Sequence, residues 1–304
     1  MMKTLKRMLL IFNPKSGTQK FANQLFEVVN KLSAAGFLVS VYSTQAHGEV
    51  GNIIINHVSD YEHLVCSGGD GTIREAIEAL MALEKRPVFG IIPSGTVNDF
   101  TSSLGIPKDI MAACDIVINS VSNALDIGRF GDKYFSYVAA FGMYTDVSYS
   151  TPQHIKNLFG KFAYFLEGVK RGGTLRPFGC KFVLDGEEII GEFILGIVAN
   201  AHSIAGYKLS EEMGVHIDDG YFEVILVHMP SNILDRQKII ASFIAQEAKT
   251  DLVIIRKAKK VEFASNEPIA WTLDGDFGGQ HTEVVIENQH HALEVIMPSR
   301  IVSL

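Results

Sequence analysis

Hydrophobic and polar positions alternate between two periodicities along the first 130 residues. Short apolar runs typical of buried strands fall at Arg7–Phe12, Phe37–Tyr42, His63–Cys66 and Val88–Ile92. Apolar residues at helical spacing fall between them, at Phe21–Ala35, Val50–Val58 and Thr72–Leu83. Because strands that alternate with helices form βαβ units, this pattern predicts a mostly parallel sheet that binds ligands at the carboxyl ends of its strands.

The pattern changes after about Gly128. Short segments rich in β-branched and aromatic residues follow at Tyr134–Ala139, Lys181–Leu184, Phe193–Ala199, Tyr221–Val227, Lys260–Ala264, Ile269–Leu273, Thr282–Glu287 and Ala292–Met297. The turn pairs Asp185-Gly186 and Asp274-Gly275 separate some of them, and helical patterns interrupt them near His154–Lys170 and Ile233–Ala248. We therefore expect an α/β protein with an α/β domain at 1–128 and an antiparallel β-sandwich domain at 129–295. A tail at about 296–304 is expected to pack back on the first domain.

Composition and charge exclude several classes of protein. The 304 residues include 27 Lys and Arg against 34 Asp and Glu, so the net charge of −7 argues against nucleic acid as a partner. Three scattered cysteines predict neither a disulfide framework nor a zinc site, and Cys66 is expected to be a buried, inert thiol. The apolar run Met8–Phe12 is too short for a signal peptide or a spanning helix. We expect a cytoplasmic protein that meets a membrane only peripherally.

A glycine-rich loop, Ser67-Gly68-Gly69-Asp70-Gly71-Thr72, follows one predicted strand and opens a helix. Free N–H groups at a helix start attract anions, and glycines let the backbone approach a phosphate closely. Asp70 would repel a phosphate unless a cation lies between them, so the loop suggests a Mg²⁺-bound nucleotide. The alternative is a plain turn in which Asp70 caps the helix.

Two further loops are predicted at the same edge of the sheet. Asn13-Pro14-Lys15-Ser16-Gly17 follows the first strand, and Pro93-Ser94-Gly95-Thr96-Val97-Asn98-Asp99 follows the fourth. Each alone is also an ordinary turn sequence. A Walker A loop is excluded because the Gly160-Lys161 pair is followed by Phe162, and a dinucleotide fingerprint is excluded because Arg74 stands at its last small position. A nucleotide would need a different cradle, made of three loops.

These motifs, together with Leu273-Asp274-Gly275-Asp276, occur in the order seen in the bacterial lipid kinases of the diacylglycerol kinase catalytic-domain family. The chain resembles that family over nearly its whole length, and within it the soluble diacylglycerol kinases of Gram-positive bacteria. The glycine loop alone is also similar to loops of NAD kinases and 6-phosphofructokinases. The loop at Pro93–Asp99 favours a lipid kinase. The resemblance implies a phosphofructokinase/NAD-kinase-like first domain, ATP as co-substrate and a homodimer.

The resemblance also implies roles for individual residues. The residues expected to line the nucleotide are Asn13, Lys15, Ser16, Gly17, Thr44, Gly68, Gly69, Asp70, Gly71, Thr72 and Thr96. Asp70, Asp99 and Asp126 are expected to surround the catalytic Mg²⁺, although Asp126 also reads as an ordinary aspartate at a strand end. Asp70 and Asp276 are the expected catalytic residues, with Asp276 as the base where the family usually has Glu. Because Asp is one methylene shorter, Asp276 must reach its target through backbone placement or a bridging water. Otherwise Asp274-Gly275-Asp276 is only a hairpin turn.

A second, structural Mg²⁺ is implied near Asp218-Asp219-Gly220-Tyr221. Its expected ligands are the Asp219 carboxylate and the backbone carbonyl groups of His216 and Tyr221, an oxygen-only set that suits this cation. The upstream stretch Leu209–Val215 departs from the family pattern, and an ordinary turn is the alternative. No zinc spacing links His281, His290 and His291, and His290-His291 is expected at an exposed hairpin tip.

The helix predicted at His154–Arg171 is amphipathic and basic. It is expected either to lie on an anionic membrane or to pack its apolar stripe on the second domain. The leading hypothesis is an ATP- and Mg²⁺-dependent kinase that converts diacylglycerol into phosphatidic acid. The alternatives are a kinase for a sphingoid base, for phosphatidylglycerol or for NAD, and a catalytically weak accessory protein that binds nucleotide or lipid.

Overall fold

The chain forms two compact units in the computed structural model. Unit 1 comprises residues 1–125 and 291–304, and unit 2 comprises residues 126–290. The structure describes residues 5–17, 20–46, 48–142, 165–170, 175–200, 203–204, 207–208, 218–245 and 250–298. The chain is a mixed α/β protein, as the sequence pattern predicts.

Unit 1 alternates strands and helices. Its elements are β1 (Lys6–Phe12), α1 (Lys20–Ala34), β2 (Phe37–Ser43), α2 (Glu49–His57), a 3₁₀ turn (Val58–Asp60), β3 (His63–Gly68), α3 (Asp70–Met81), β4 (Val88–Pro93), α4 (Asp99–Ser103) and α5 (Ile110–Asn119). β5 (Ser122–Phe130) leads out of this unit, and the end of β15 (Asp276–Ile296) belongs to it. The alternation expected from the sequence is confirmed.

The sheet of unit 1 is parallel, with strand order β2-β1-β3-β4. The returning C-terminal residues extend it beyond β4, where Val295 pairs with Phe89 in parallel. Residues Met8–Phe12 are buried throughout because β1 is a central strand of a sheet with helices packed against it. The edge strand β2 has only partly buried and exposed positions. The carboxyl ends of β1, β3 and β4 therefore point the same way, and their loops emerge at one edge.

Unit 2 is built mainly from antiparallel strands. Its elements are β6 (Lys133–Phe135), β7 (Val138–Phe141), the described helical segment α6 (165–170), β8 (Phe178–Leu184), β9 (Glu187–Ala199), β10 (Ser203–Ile204), β11 (Tyr207–Lys208), β12 (Phe222–His228), α7 (Ile233–Ala245), β13 (Val253–Ala258), β14 (Lys260–Leu273) and most of β15. β9 pairs with β12, β7 and β8, and β14 pairs with β15, β7 and β8. Asp185-Gly186 and Asp274-Gly275 form the predicted tight turns, with positive φ at all four residues.

Aromatic side chains form the core of unit 2. The Trp271 ring lies 5.0 Å from Phe141 and 5.1 Å from Phe263, and Phe182 lies 5.3 Å from Phe263, measured between ring centroids. All four residues are buried. Tilted and edge-to-face aromatic pairs each add about 0.5 to 1.5 kcal/mol beyond the burial of their area. These contacts hold together strands that are distant in sequence.

Four details of the sequence interpretation are wrong. The segment Tyr134–Ala139 is divided between β6 and β7. Lys260–Ala264 and Ile269–Leu273 belong to the single strand β14, and Thr282–Glu287 and Ala292–Ile296 belong to the single strand β15. His290-His291 is not a hairpin tip, because both residues lie inside β15. Polar residues within a long strand looked like a turn because the pairing of that strand depends on contacts remote in sequence.

The predicted amphipathic helix is described only at its end, over 165–170, and its other residues lie outside the described part of the chain. Phe165 and Val169 are buried there, so at this end the apolar stripe packs inside the protein. Across the described residues, every helix is too short or too polar to span a bilayer.

Candidate nucleotide and phosphoryl-transfer site

The loop after β1 is a compact turn fixed by its own polar groups. The Asn13 N–H donates to Ser67 O at 2.9 Å, which joins this loop to the end of β3. The Asn13 side-chain oxygen accepts the Lys15 N–H at 2.9 Å, and the Asn13 carbonyl accepts the Ser16 N–H at 3.1 Å. This Asx turn holds the Lys15 and Ser16 backbone in place beside the cavity described below.

The glycine loop runs directly into α3. Gly69 precedes the helix as its N-cap residue, and Asp70 is the first helical residue. The alternative in which Asp70 caps its own helix is therefore wrong, because its carboxylate bonds elsewhere: Oδ2 accepts the Asn98 N–H at 2.9 Å and Oδ1 accepts the Phe100 N–H at 3.4 Å. The first N–H groups of α3 have no carbonyl partner within the helix, so they attract negative charge.

Asn98 shapes the loop after β4. Its φ of 60° is left-handed, and its side chain accepts the Gly95 N–H at 3.1 Å and donates to Gly95 O at 2.8 Å. Because Asn98 also donates its own N–H to Asp70, the third loop is fastened to the second. Asn tolerates this left-handed conformation better than most residues.

Glycine is required where the three loops touch. A Cβ atom on Gly95 would lie 2.4 Å from the Cα of Gly69, and one on Gly17 would lie 2.2 Å from Ser94 O. Gly17 also has a φ of +54°, which disfavours other residues. The structure therefore brings together the three loops that the sequence predicts at one edge of the sheet.

A cavity of about 530 Å³ opens beside these loops. Its described lining residues are Asn13, Lys15, Ser16, Thr44, Gln45, Ala46, Val50, Gly69, Gly71, Thr72 and Glu75. Seven of them belong to the predicted nucleotide set, and the volume is within the range of small-molecule sites. The lining combines a lysine, hydroxyl groups, helix-start amides and the apolar side chains of Ala46 and Val50.

Four predicted nucleotide residues lie outside this described lining. Gly17 packs against Ser94, and Gly68 packs so closely against Thr72 that an added Cβ would collide with it. Asp70 joins the second loop to the third, and Thr96 is exposed on the third loop.

Sequence reasoning missed four lining residues: Gln45, Ala46, Val50 and Glu75. Glu75 accepts the Gly48 N–H at 3.0 Å, and Glu49 accepts the N–H groups of Gln45 and Ala46. Two carboxylates thus hold the chain that leads into α2. The signal was weak, since Glu75 is one turn into α3 and belongs to no motif.

Asp126, at the start of unit 2, is buried, and each of its carboxylate oxygens has a polar partner. Its Oδ2 accepts the Gly220 N–H at 2.6 Å, and its Oδ1 lies 2.8 Å from His290 Nδ1. The Asn200 side chain donates to the Asp126 carbonyl at 2.6 Å. Asp126 therefore connects β5 with β15 and with the turn before β12, which is more than an ordinary aspartate at a strand end would do.

The two aspartates of the β14–β15 hairpin have different environments. Asp274 is partly buried, and its carboxylate accepts four hydrogen bonds of 2.8–2.9 Å, from the N–H groups of Ser136, Tyr137 and Val138 and from the Ser136 hydroxyl. Burial raises the pKa of the Asp274 carboxyl group, and these hydrogen bonds oppose the shift. Asp276, the predicted base, is exposed at the start of β15. The structural role of Asp274 is one that the motif did not reveal.

The turn before β12 is rich in charge. The Asp219 carboxylate accepts the Tyr221 N–H at 3.0 Å and the Lys257 ammonium at 2.9 Å. Glu223 lies opposite Lys257 in the β12–β13 ladder, with 3.8 Å between the ammonium and Oε1. His216, the other predicted ligand, lies outside the described residues.

Glu223 is a buried carboxylic acid. Within the described part of the chain, neither of its carboxylate oxygens accepts a hydrogen bond. Burial raises its pKa from the ordinary 4.5 to about 8, although Lys257 acts in the opposite direction. Glu223 is therefore mostly neutral at pH 7.

We expect Glu223→Gln to stabilise the protein increasingly as pH rises from 5 to 8. In this range the folded protein keeps the Glu223 proton and the unfolded chain has lost it, so wild-type stability falls by roughly 1 kcal/mol per pH unit. The variant has no ionisable group at this position, so this contribution to the pH dependence of its stability is absent. Thermal melts of both proteins across this range measure the difference, with exposed Glu262→Gln as the control. A melting-temperature difference that stays constant with pH would contradict the assignment.

Known proteins are similar to this chain over nearly its whole length. The model of the diacylglycerol kinase catalytic domain matches residues 7–130. A diacylglycerol kinase of Staphylococcus carnosus (strain TM300) is 36% identical over 297 residues, which cover 96% of this chain and 95% of that protein. A diacylglycerol kinase of Staphylococcus aureus (strain MRSA252) is 34% identical over 301 residues, which cover 98% and 94%. The crystal structure of a candidate diacylglycerol kinase from Bacillus anthracis str. Sterne superposes with a TM-score of 0.86 at 25% identity, covering 99% of this chain and 98% of that one.

Proposed function

Because this chain belongs to the diacylglycerol kinase family, we propose that it is an ATP- and Mg²⁺-dependent kinase that phosphorylates the hydroxyl group of diacylglycerol. The products are phosphatidic acid and ADP. The observation that carries the proposal is the contact of three strand-end loops beside a cavity of about 530 Å³ at the carboxyl edge of a parallel sheet. Ligands of such sheets bind at this edge.

The cavity has groups suited to each part of ATP. The amides at the start of α3, the Lys15 ammonium and the Ser16 hydroxyl can bind phosphate oxygens. Thr44 and Glu75 offer polar atoms to ribose hydroxyl groups, and Val50 offers apolar surface to the base. The phosphates would thereby lie beside the glycine loop.

The predicted catalytic carboxylates have an oxygen-only chemistry that fits Mg²⁺. Each oxygen of Asp70 accepts one backbone N–H, which leaves lone pairs for a cation. Asp99 is the first residue of α4, directly after the third loop, and the family resemblance adds Asp126 to the proposed set of magnesium ligands. When bound, Mg²⁺ neutralises charge that develops on the transferring phosphoryl group.

Asp276 is proposed as the group that accepts the proton of the substrate hydroxyl. The hydroxyl oxygen forms a bond to the γ-phosphorus as the bond to the β-phosphate oxygen breaks, so ADP leaves and the proton passes to the carboxylate. The exposure of Asp276 leaves its carboxylate accessible to a substrate.

We assign unit 1 as a phosphofructokinase/NAD-kinase-like nucleotide domain and unit 2 as a β-sandwich that holds the lipid. A peripheral contact with the membrane follows from a substrate that resides in a bilayer, and a homodimer remains an expectation from the family.

The structural Mg²⁺ is proposed at Asp219 with the carbonyl groups of His216 and Tyr221. Asp218 and Asp219 place two carboxylates at this turn, beside the cations Lys257, whose ammonium lies 2.9 Å from Asp219, and Lys259, whose ammonium lies over the Tyr221 ring. Mg²⁺ added without nucleotide should then raise the melting temperature. An unchanged melting temperature would remove this site from the account.

A panel of acceptors tests the proposed function. Labelled ATP is supplied with diacylglycerol, a sphingoid base, phosphatidylglycerol or NAD, with the lipids in mixed micelles. We expect label chiefly in phosphatidic acid. Label on NAD but on no lipid would overturn the proposal, and ATP binding without any transfer would favour the accessory protein, which the shorter Asp276 side chain also suggests.

A further inference from the structure

The outer face of α7 exposes large aliphatic side chains. Ile233, Leu234 and Ile244 are 73%, 65% and 71% exposed, whereas Ile239 and Phe243 on the opposite face are buried. Apolar side chains of this size grouped on one helix commonly mark a contact surface.

The start of α7 is firmly fixed, so this exposure does not come from a frayed helix end. The Asn232 side-chain oxygen accepts the Asp235 N–H at 3.0 Å. In return, the Asp235 carboxylate accepts the Ser231 backbone N–H at 3.2 Å and the Asn232 side-chain NH₂ group at 3.0 Å. Reciprocal bonds of this kind stabilise a helix N-terminus. Ile233 and Leu234 are therefore held in place facing outward.

A cavity of about 710 Å³ lies along the same helix. Its described lining residues are Lys170, Pro230, Ser231, Asn232, Ile233, Arg236, Gln237, Ile240, Ala241 and Ile244. The two ionisable residues in that lining, Lys170 and Arg236, are both cationic. Lys238 of α7 adds a third cation to this region, and its ammonium lies 3.4 Å from the Asp235 carboxylate. This concentration of positive charge is notable in a chain of net charge −7.

We propose that this surface, formed by Ile233, Leu234, Arg236 and Ile244 of α7 together with Lys170 at the end of α6, docks on an anionic phospholipid bilayer. The aliphatic side chains would enter the boundary between head groups and acyl chains, and the cations would lie among the phosphates. The proposal rests on the proposed function, since a bilayer-resident substrate gives the enzyme a reason to bind a membrane.

A second copy of this chain suits the surface less well than a bilayer does. A symmetric contact whose two-fold axis passes near Lys170 and Arg236 would bring these cations of two copies together, and like charges oppose such a contact. An anionic bilayer instead supplies opposite charge and an apolar layer together.

Sedimentation with vesicles that contain no diacylglycerol tests the docking. The full chain is mixed with vesicles of phosphatidylcholine alone, or of phosphatidylcholine and the anionic lipid phosphatidylserine in equal amounts. We expect the wild-type protein to bind the anionic vesicles about tenfold more strongly, and added salt to weaken this binding. The triple variant I233S/L234S/I244S should lose about tenfold or more of the binding, and K170Q/K238Q should lose the preference for anionic vesicles.

Ile190→Ser is the matched control, because Ile190 is a 67% exposed aliphatic residue on β9 of the same unit. It should bind vesicles like the wild-type protein, and unchanged melting temperatures should verify folding of every variant. Wild-type binding by the triple variant would overturn the proposal, as would the absence of wild-type binding. Conversion of a wild-type dimer into a monomer by the triple substitution, seen by light scattering, would assign the surface to a second copy instead.

Activity in detergent separates the two proposals. With diacylglycerol dispersed in mixed micelles, the triple variant should keep its turnover number within about twofold of wild type, because its substitutions are on an exposed helix face. Vesicle binding without lipid phosphorylation would remove the proposed function and leave the docking surface. Phosphorylation in micelles without vesicle binding would remove the docking surface and leave the proposed function.

Discussion

Replacing Asp70 with Asn is expected to lower the turnover number by about 10³-fold. The substitution keeps the shape of the side chain, and its remaining oxygen can still accept the Asn98 N–H, the shorter of the two contacts at 2.9 Å. It removes the negative charge that would hold Mg²⁺ beside the phosphates. Turnover by the variant in mixed micelles, measured at saturating ATP, checks the prediction.

Glu78→Gln provides the matched control for Asp70→Asn. Glu78 is on the same helix and pairs with Arg74 at 3.0 Å, away from the three loops. Its loss removes one carboxylate from α3 and should change turnover by no more than about twofold. Near-normal turnover by Asp70→Asn would show that its carboxylate only fastens the loops together.

Asp276→Asn is expected to lower turnover by about 10²- to 10⁴-fold, the usual effect of removing a general base. Nucleotide affinity should stay close to wild type because the proposed nucleotide contacts are in unit 1, and the melting temperature should hold because Asp276 is exposed. Steady-state kinetics, nucleotide titration and a thermal melt together measure the three quantities.

Its neighbour Asp274 should behave in the opposite way. Asp274→Asn places an amide donor among the N–H groups of Ser136, Tyr137 and Val138, so it should destabilise unit 2 by about 2 to 5 kcal/mol. Activity would fall only as folding fails.

If Asp276→Asn turned over at the wild-type rate, Asp276 would not be the base.

Much of unit 1 could be predicted from sequence because its signals are local. The fully apolar run Met8–Phe12 is what a central parallel strand requires, and the glycines in the strand-end loops occupy positions where another residue would collide. The direction of parallel strands then places their loops at one edge. Local pattern and global fold agree here.

Contacts between distant segments explain what the sequence did not reveal. His290 looked like part of a turn, but it lies in β15 opposite the buried Asp126, 164 residues earlier. The motif around Asp274 gave no sign that its carboxylate would bind the Ser136–Val138 backbone. Glu75 lines the cavity because α2 and α3 pack together. The sequence of neither helix alone predicts this packing.

The amphipathic pattern near Phe165 shows a related limit. A helical apolar stripe has the same period whether it faces a core or a membrane, so sequence left both readings open. In the described end of that helix the stripe is buried. The helix α7 instead exposes Leu234 and Ile244, although its sequence pattern predicted no membrane contact.

The central claim is that the three strand-end loops of unit 1 bind the nucleotide phosphates. Hydrogen–deuterium exchange of the full chain, with and without Mg²⁺ and a non-hydrolysable ATP analogue, tests it most directly. We predict slower exchange of backbone amides within 13–17, 69–73 and 94–98 when the analogue is bound. Unchanged exchange in all three loops, under conditions where calorimetry shows the analogue bound, would contradict the account.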